Sequence, residues 1–158
     1  MLTVKDFEGD NALLISGPFG DPWVQLFDNQ LNFQIETGGD NRSAHIVNRD
    51  PQPGEKREYW NFVDPSQTTI CYARLAYLPG LTVGSRVLLA GGPHTASTQA
   101  ASLFLTSSES ASQLCALFQV KKATQLPWFE LLVEARALGN SPWTMRILAS
   151  RRVYSNSR

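Results

Sequence analysis

The chain has 158 residues, 14 basic and 14 acidic side chains, and a formal net charge of zero. That length suits one domain able to bury roughly 70% of the surface its unfolded form would expose, with no metal or disulfide staple. A neutral balance removes the positive footprint that phosphate-backbone contact requires, so direct nucleic-acid binding by this stretch is not expected.

The opening residues, MLTVKDFEGDN, carry charge where a secretory peptide would need an apolar stretch, and no run of 18 apolar residues follows. A cytoplasmic, non-membrane protein is the expectation. It is equally compatible with residues 1–158 being a piece of a longer chain, because the sequence opens almost directly on a strand. LTVKDF reads as one helical turn with Thr3 as its cap and Asp6 three residues on. NALLISG is continuously apolar from Ala12 to Ile15, the pattern of a strand covered on both faces in a parallel sheet. Gly17-Pro18 ends it. Pro22 suits the first position of a helix and Asp21 its N-cap, so DPWVQLFDNQ reads as a short amphipathic helix, and LNFQIE as a strand.

From Thr37 to Pro53 the chain is rich in Gly, Asn, Asp and Pro. It predicts a loop with a small strand at His45–Asn48, and the most mobile part of the molecule. REYWNFV and TTICYARLAYL read as two strands of a hairpin about the turn DPSQ. RVLLAGG is a further apolar strand, followed by an Ala-dense helix from PHTASTQAASLFLT and another from SSESASQLCALFQV. The tail predicts two strands around LGNSPW, whose Gly-Asn-Ser centre signals a hairpin. Glu130, Glu134 and Arg136 alternate with Leu131 and Val133, which predicts one wet face. Together these elements predict an α/β domain: a three-layer, Rossmann-like or flavodoxin-like mixed sheet with parallel central strands and an antiparallel C-terminal hairpin. Cys71 and Cys115 lack the spacing of a metal or redox pair and read as buried hydrophobes.

One pattern repeats. LLISGP at Leu13–Pro18 and LLAGGP at Leu88–Pro93 are the same apolar run ending in the same Gly-Pro. In a parallel sheet flanked by helices, ligands bind beyond the carboxyl ends of the strands, where glycine permits close approach and the next helix offers unpaired amides. If the two runs are neighbours, their loops face one crevice. The candidate ligand-binding residues are Gly17, Pro18, Phe19, Asp21, Trp23, Gly91, Gly92, His94, Thr95 and Thr98. Neither loop matches GxGxxG or GxxxxGK[ST], and no lysine stands where a phosphate loop needs one, so a nucleoside triphosphatase is disfavoured. Asp21 also suits a plain helix cap and Trp23 plain packing. No cofactor and no metal is expected.

DFEGDNALLISGPFGDPWVQLFDNQLNFQIE, VNRDPQPGE, YARLAYLPGL and RVLLAGGPHTASTQAASLFLTS together resemble an uncharacterised bacterial α/β domain, often found C-terminal to a winged-helix-type DNA-binding module in predicted regulators. The matching positions are Gly17, Trp23, Phe27, Asn32, Phe33, Gly91, Thr98, Ala100 and Ala101, whereas Asp21 stands where Asn and Ser97 where Gly would be expected. The resemblance implies a non-enzymatic small-molecule-sensing or interaction domain of a transcription regulator. Its partner would be a small molecule, anions being one class, with a homodimer as a compatible assembly. The competing expectation is a nucleotide or phospho-sugar hydrolase or transferase using Asp21 or His94, with Asp28 and Glu55 as the remaining titratable candidates.

Overall fold

The computed structural model describes residues 4–7, 9–17, 20–38 and 43–154. Its strands are β1 (Ala12–Ile15), β2 (Phe33–Thr37), β3 (Ala44–Asn48), β4 (Glu58–Tyr59), β5 (Phe62–Val63), β6 (Thr69–Pro79), β7 (Arg86–Gly91), β8 (Phe129–Leu138) and β9 (Ser141–Arg152). The helices are α1 (Gln25–Asp28), α2 (Thr95–Thr106) and α3 (Ser108–Phe118), with 3-10 turns at Val4–Phe7, Pro22–Val24 and Ala123–Gln125.

The main sheet runs β1-β7-β6-β8-β9, and β5 pairs with the start of β6. Only β1 and β7 are parallel among the described strands; β7–β6, β6–β8 and β8–β9 are all antiparallel. This overturns the Rossmann-like or flavodoxin-like sheet with parallel central strands, because the parallel pair lies at one edge and the centre is antiparallel. A second sheet, β2-β3-β4, is antiparallel throughout.

The central strand β6 explains the layering. Cys71, Ala73 and Leu75 face α2 and α3 with Leu131, Val133 and Phe104, while Ile70 and Tyr72 face the small sheet with Phe33, Ile46 and Tyr59. Further along that second face, Ala76 and Leu78 meet Val24, Phe27 and Leu31 from the α1 region. With both faces covered, β6 is apolar almost from end to end although its neighbours are antiparallel. β1 is the opposite case. Its run Ala12–Ile15 predicts burial on both faces, yet at the sheet edge Leu13 stays 56% and Ile15 47% exposed.

The expected strand REYWNFV is two strands on different sheets, β4 on β3 and β5 on β6. Between them Trp60 stacks on His45, ring centroids 3.8 Å apart and 6° from parallel. The wet face expected on β8 is also corrected. Glu130 is only 2% exposed, because the small sheet covers it, and its two carboxylate oxygens accept the amides of Asn32 (2.7 Å) and Phe33 (2.9 Å). Wetness returns further along β8, where Glu134 pairs with Arg146 and Arg136 with Asp64.

The segment expected to be the most mobile is held by polar pairing from Ala44 onward. The Asn48 side chain, fully buried, accepts from Asn32 Nδ2 (2.7 Å) and donates to Glu55 Oε2 (2.8 Å), and Glu55 in turn receives the Arg151 guanidinium (Nη1 to Oε1, 3.0 Å). The guanidinium first, then the amides of Gln52 and Asn48, hold the Glu55 carboxyl down at about 2, against the ordinary 4.5. A carboxyl depressed by folding contributes stability that is complete above its unfolded value and is lost as pH falls through the folded one. Urea unfolding should therefore show stability declining between about 4.5 and about 2, and Glu55→Gln should flatten that part of the profile while lowering stability at neutral pH. An unchanged acid limb in the variant would refute this role.

Candidate functional site

β1 and β7 run side by side in parallel register, Leu13 beside Leu88 and Ile15 beside Ala90, so the two repeated apolar runs deliver their glycines to the same end of the sheet. Ser16 N donates to the Ala90 carbonyl at 3.0 Å, extending the pairing one residue beyond β1. The backbones then come closer than side chains would permit. A Cβ on Gly17 would sit 2.7 Å from the Gly92 carbonyl oxygen, and one on Gly91 would sit 2.0 Å from that of Ser16. Absence of a side chain at these positions lets the strand ends meet.

Past the glycines the chain turns twice. On the β1 side the Gly17 carbonyl accepts from Gly20 N (3.0 Å) and Asp21 N (3.3 Å), and Asp21 Oδ1 accepts from Trp23 N (3.0 Å), which caps the 3-10 turn Pro22–Val24. On the β7 side, Gly92-Pro93 leads into α2, whose N-cap is His94 in extended conformation (φ −138°, ψ 168°). The His94 carbonyl accepts from Thr98 N at 3.0 Å, but its side chain makes no capping bond. The first-turn amides of a helix have no partner within it, so the α2 terminus presents donors and the positive end of its dipole. Beneath it, Ser97 is fully buried, occupies the space a Gly92 side chain would need, and accepts from Asn61 Nδ2 at 3.1 Å.

The two turns flank an open cleft of about 520 Å³ lined by Ile15, Ser16, Gly17, Gly20, Gly92, Pro93, His94, Thr95, Thr98 and Asn140. Of the sequence candidates, Gly17, Gly92, His94, Thr95 and Thr98 come together here. Gly91 lies directly behind, buried against Ser16. Asp21 is a helix cap and does not line the cleft, and Trp23 packs against the cluster of Leu14, Val24 and Phe27. Pro18 and Phe19 lie outside the described residues.

Asn140 is the one described lining residue that lies on neither of the two strand-and-loop stretches the sequence pointed to. It stands in the two-residue turn joining β8 to β9, where Gly139 takes φ +57° and Leu138 pairs with Ser141. The Gly-Asn-Ser signal predicts the turn, but only the packing of α2 against β8 and β9 carries its tip to the cleft. Ile15, Ser16, Gly20 and Pro93 were not candidates either, but all four belong to the two repeated runs or the loops that follow them.

Among the described residues the cleft's lining has one titratable side chain, His94, and no carboxylate. The other titratable candidates are committed elsewhere: Asp28 pairs with Arg74 (2.8 Å) and Glu55 with Arg151. The two cysteines are unpaired; burial pushes the Cys71 thiol up to about 11, far from a reactive thiolate. Among the described residues no group of three His, Cys, Asp or Glu side chains could hold a metal ion, and no helix is long and apolar enough to cross a membrane. No family model, curated protein or solved structure matches the chain. Its own geometry carries the functional argument.

Proposed function

We propose that the chain is a small-molecule-binding domain without catalytic chemistry, taking an anionic ligand in the cleft at the ends of β1 and β7, as part of a bacterial regulatory protein. The observation that carries this reading is the parallel β1–β7 pair, whose glycine ends meet beside the uncapped N-terminus of α2. An anion there would receive first-turn amides, the hydroxyls of Thr95 and Thr98 and the His94 ring, with no carboxylate among the described lining residues to repel it. Because the lining comes from β1, α2 and the β8–β9 turn, a bound ligand would tie three separate elements together and favour the arrangement that closes on it. The regulatory context rests on the resemblance to domains that follow winged-helix modules.

The hydrolase or transferase reading has weaker support. It needs two convergent titratable groups, and Asp21 already caps the turn before α1 while His94 lines the cleft without a carboxylate beside it. A screen of inorganic phosphate, nucleotides, sugar phosphates and amino acids, followed by amide chemical shifts, tests the proposal. Saturable shifts centred on Thr95, Ala96 and Ser97, weakened in Thr95→Val/Thr98→Val, are the expected result. No response to any of these at millimolar concentration, or turnover of a phosphoester lost in His94→Ala, would overturn it.

A further inference from the structure

A second cavity lies on the helix-covered face of the main sheet, away from the β1–β7 cleft. It measures about 290 Å³ and is walled by Leu88, Phe104, Leu105, Leu114, Leu126 and Phe129. The pocket is half open to solvent, and at about 30 Å³ for each water-sized group it has room for roughly ten. Its lining is mainly aliphatic and aromatic, with Tyr77 and Ser110 as the polar members. Its mouth is marked by two exposed small residues, Ala111 in the first turns of α3 and Ala123 in the 3-10 turn that follows α3.

Exposed cations stand beside several of the lining residues. Lys121 and Lys122 immediately precede Ala123, and both are exposed. Arg86 shares a face of β7 with Leu88, two residues away, and is exposed as well. None of the three forms an ion pair among the described residues. Glu109, in the first turn of α3, precedes the lining residue Ser110, and Gln113 Nε2 donates to its Oε1 at 3.4 Å. Three exposed cations thus stand beside lining residues of a mainly apolar pocket.

We infer that this cavity binds a short acyl-chain carboxylate, its hydrocarbon tail inside the chamber and its head at the Arg86, Lys121 and Lys122 rim. Tail burial supplies the attraction, in proportion to the methylene groups removed from water. The rim selects the sign of the head group, since an anion meets unpaired cations there and an ammonium does not.

Octanoate is the probe, with octylamine and 1-octanol as head-group controls, followed by amide chemical shifts on the intact chain. Octanoate should saturate with its largest shifts at Leu105, Ala111, Leu114 and Leu126. Both controls should bind more weakly, octylamine by roughly fivefold or more, the ratio expected when exposed ion pairs are lost or inverted. Ala111→Phe places a ring in the mouth and should abolish octanoate binding while leaving the fold intact by circular dichroism. Lys121→Glu/Lys122→Glu, at exposed positions, should weaken octanoate without altering 1-octanol binding. The inference is overturned if octanoate fails to bind, if octylamine binds as tightly, if a folded Ala111→Phe variant retains affinity, if the double charge reversal leaves octanoate unaffected, or if the shifts centre on Gly92–Thr98. That last outcome would move octanoate to the β1–β7 cleft, so the failure of this site and of that cleft are read separately.

Discussion

Replacing Arg74 by methionine should cost about 3–5 kcal/mol of stability, the range seen when one partner of a buried ion pair is removed and the other is left without its counter-charge. Arg74 lies mid-β6, 2% exposed, on the face shared with Leu132 and Tyr72. Its Nη1 is 2.8 Å from Asp28 Oδ1 at the end of α1 and donates to the Phe33 carbonyl at 3.0 Å. The same seam holds Glu130, whose carboxyl burial pushes up while the amides of Phe33 and Asn32 and the charge of Arg74 pull it down. One guanidinium therefore joins α1 and β2 to the main sheet and offsets two carboxylates, where Phe27 and Leu31 give way to Phe33 and Tyr72. A methionine fills much of the volume but strands Asp28 and removes a positive charge that favours the ionised Glu130 carboxyl. For a chain of this size the loss corresponds to roughly 6–20 °C in melting temperature. Adding Asp28→Asn should recover part of it, since an amide is less costly to leave half-paired than a carboxylate. A loss under about 1 kcal/mol for Arg74→Met, the range of an exposed ion pair, would mean that this charge is not desolvated as its burial indicates.

Arg74 also shows what the sequence offered and how it was missed. TICYARLAYL is apolar except for one arginine at its centre, and an arginine in a strand covered on both faces must have a buried partner. That reasoning was available once β6 was assigned to the core, but the run read as half of a hairpin, and nothing local distinguishes the two. Continuous apolar character reports coverage of both faces, not strand direction. β6 gains its coverage from helices on one side and a second sheet on the other, whereas the parallel strand β1, with the same texture, sits at an edge. The small sheet was hard to foresee because β2, β3 and β4 are short and β4 merges into β5 in sequence. Its consequence, a buried Glu130, inverted the expected wet face. By contrast, the Gly-Pro repeat was legible at both levels: similar apolar runs favour adjacent strands, and glycines at both ends permit their close approach. The hairpin tip carrying Asn140 was legible as a turn but not as a neighbour of α2, since that contact depends on how the long β8–β9 pair packs across the helix.

Gly91→Ala should destabilise the protein by about 3 kcal/mol, near the upper end for overpacking by a single methyl, and should disable the cleft at the same time. The added Cβ would stand 2.0 Å from the Ser16 carbonyl oxygen and 2.4 Å from its carbon. Both are backbone atoms, so no rotamer change relieves the contact; the end of β1 must move away from β7. That movement breaks the 3.0 Å bond from Ser16 N to the Ala90 carbonyl and displaces Ser16 and Gly17, which line the cleft. Gly20→Ala is the internal control. Its Cβ would meet the Ser16 hydroxyl oxygen at 2.5 Å, the movable end of a side chain, and rotation of that hydroxyl should hold the cost below about 1 kcal/mol. Urea unfolding of the two variants measures the contrast, and amide shifts at Thr95–Thr98 during a phosphate titration report on the cleft. The two effects of Gly91→Ala share one cause, so they must appear together. A variant that lost stability yet kept phosphate binding would separate the β1–β7 junction from the ligand site, and one as stable as the parent would mean that the strand ends do not approach as closely as their glycines permit.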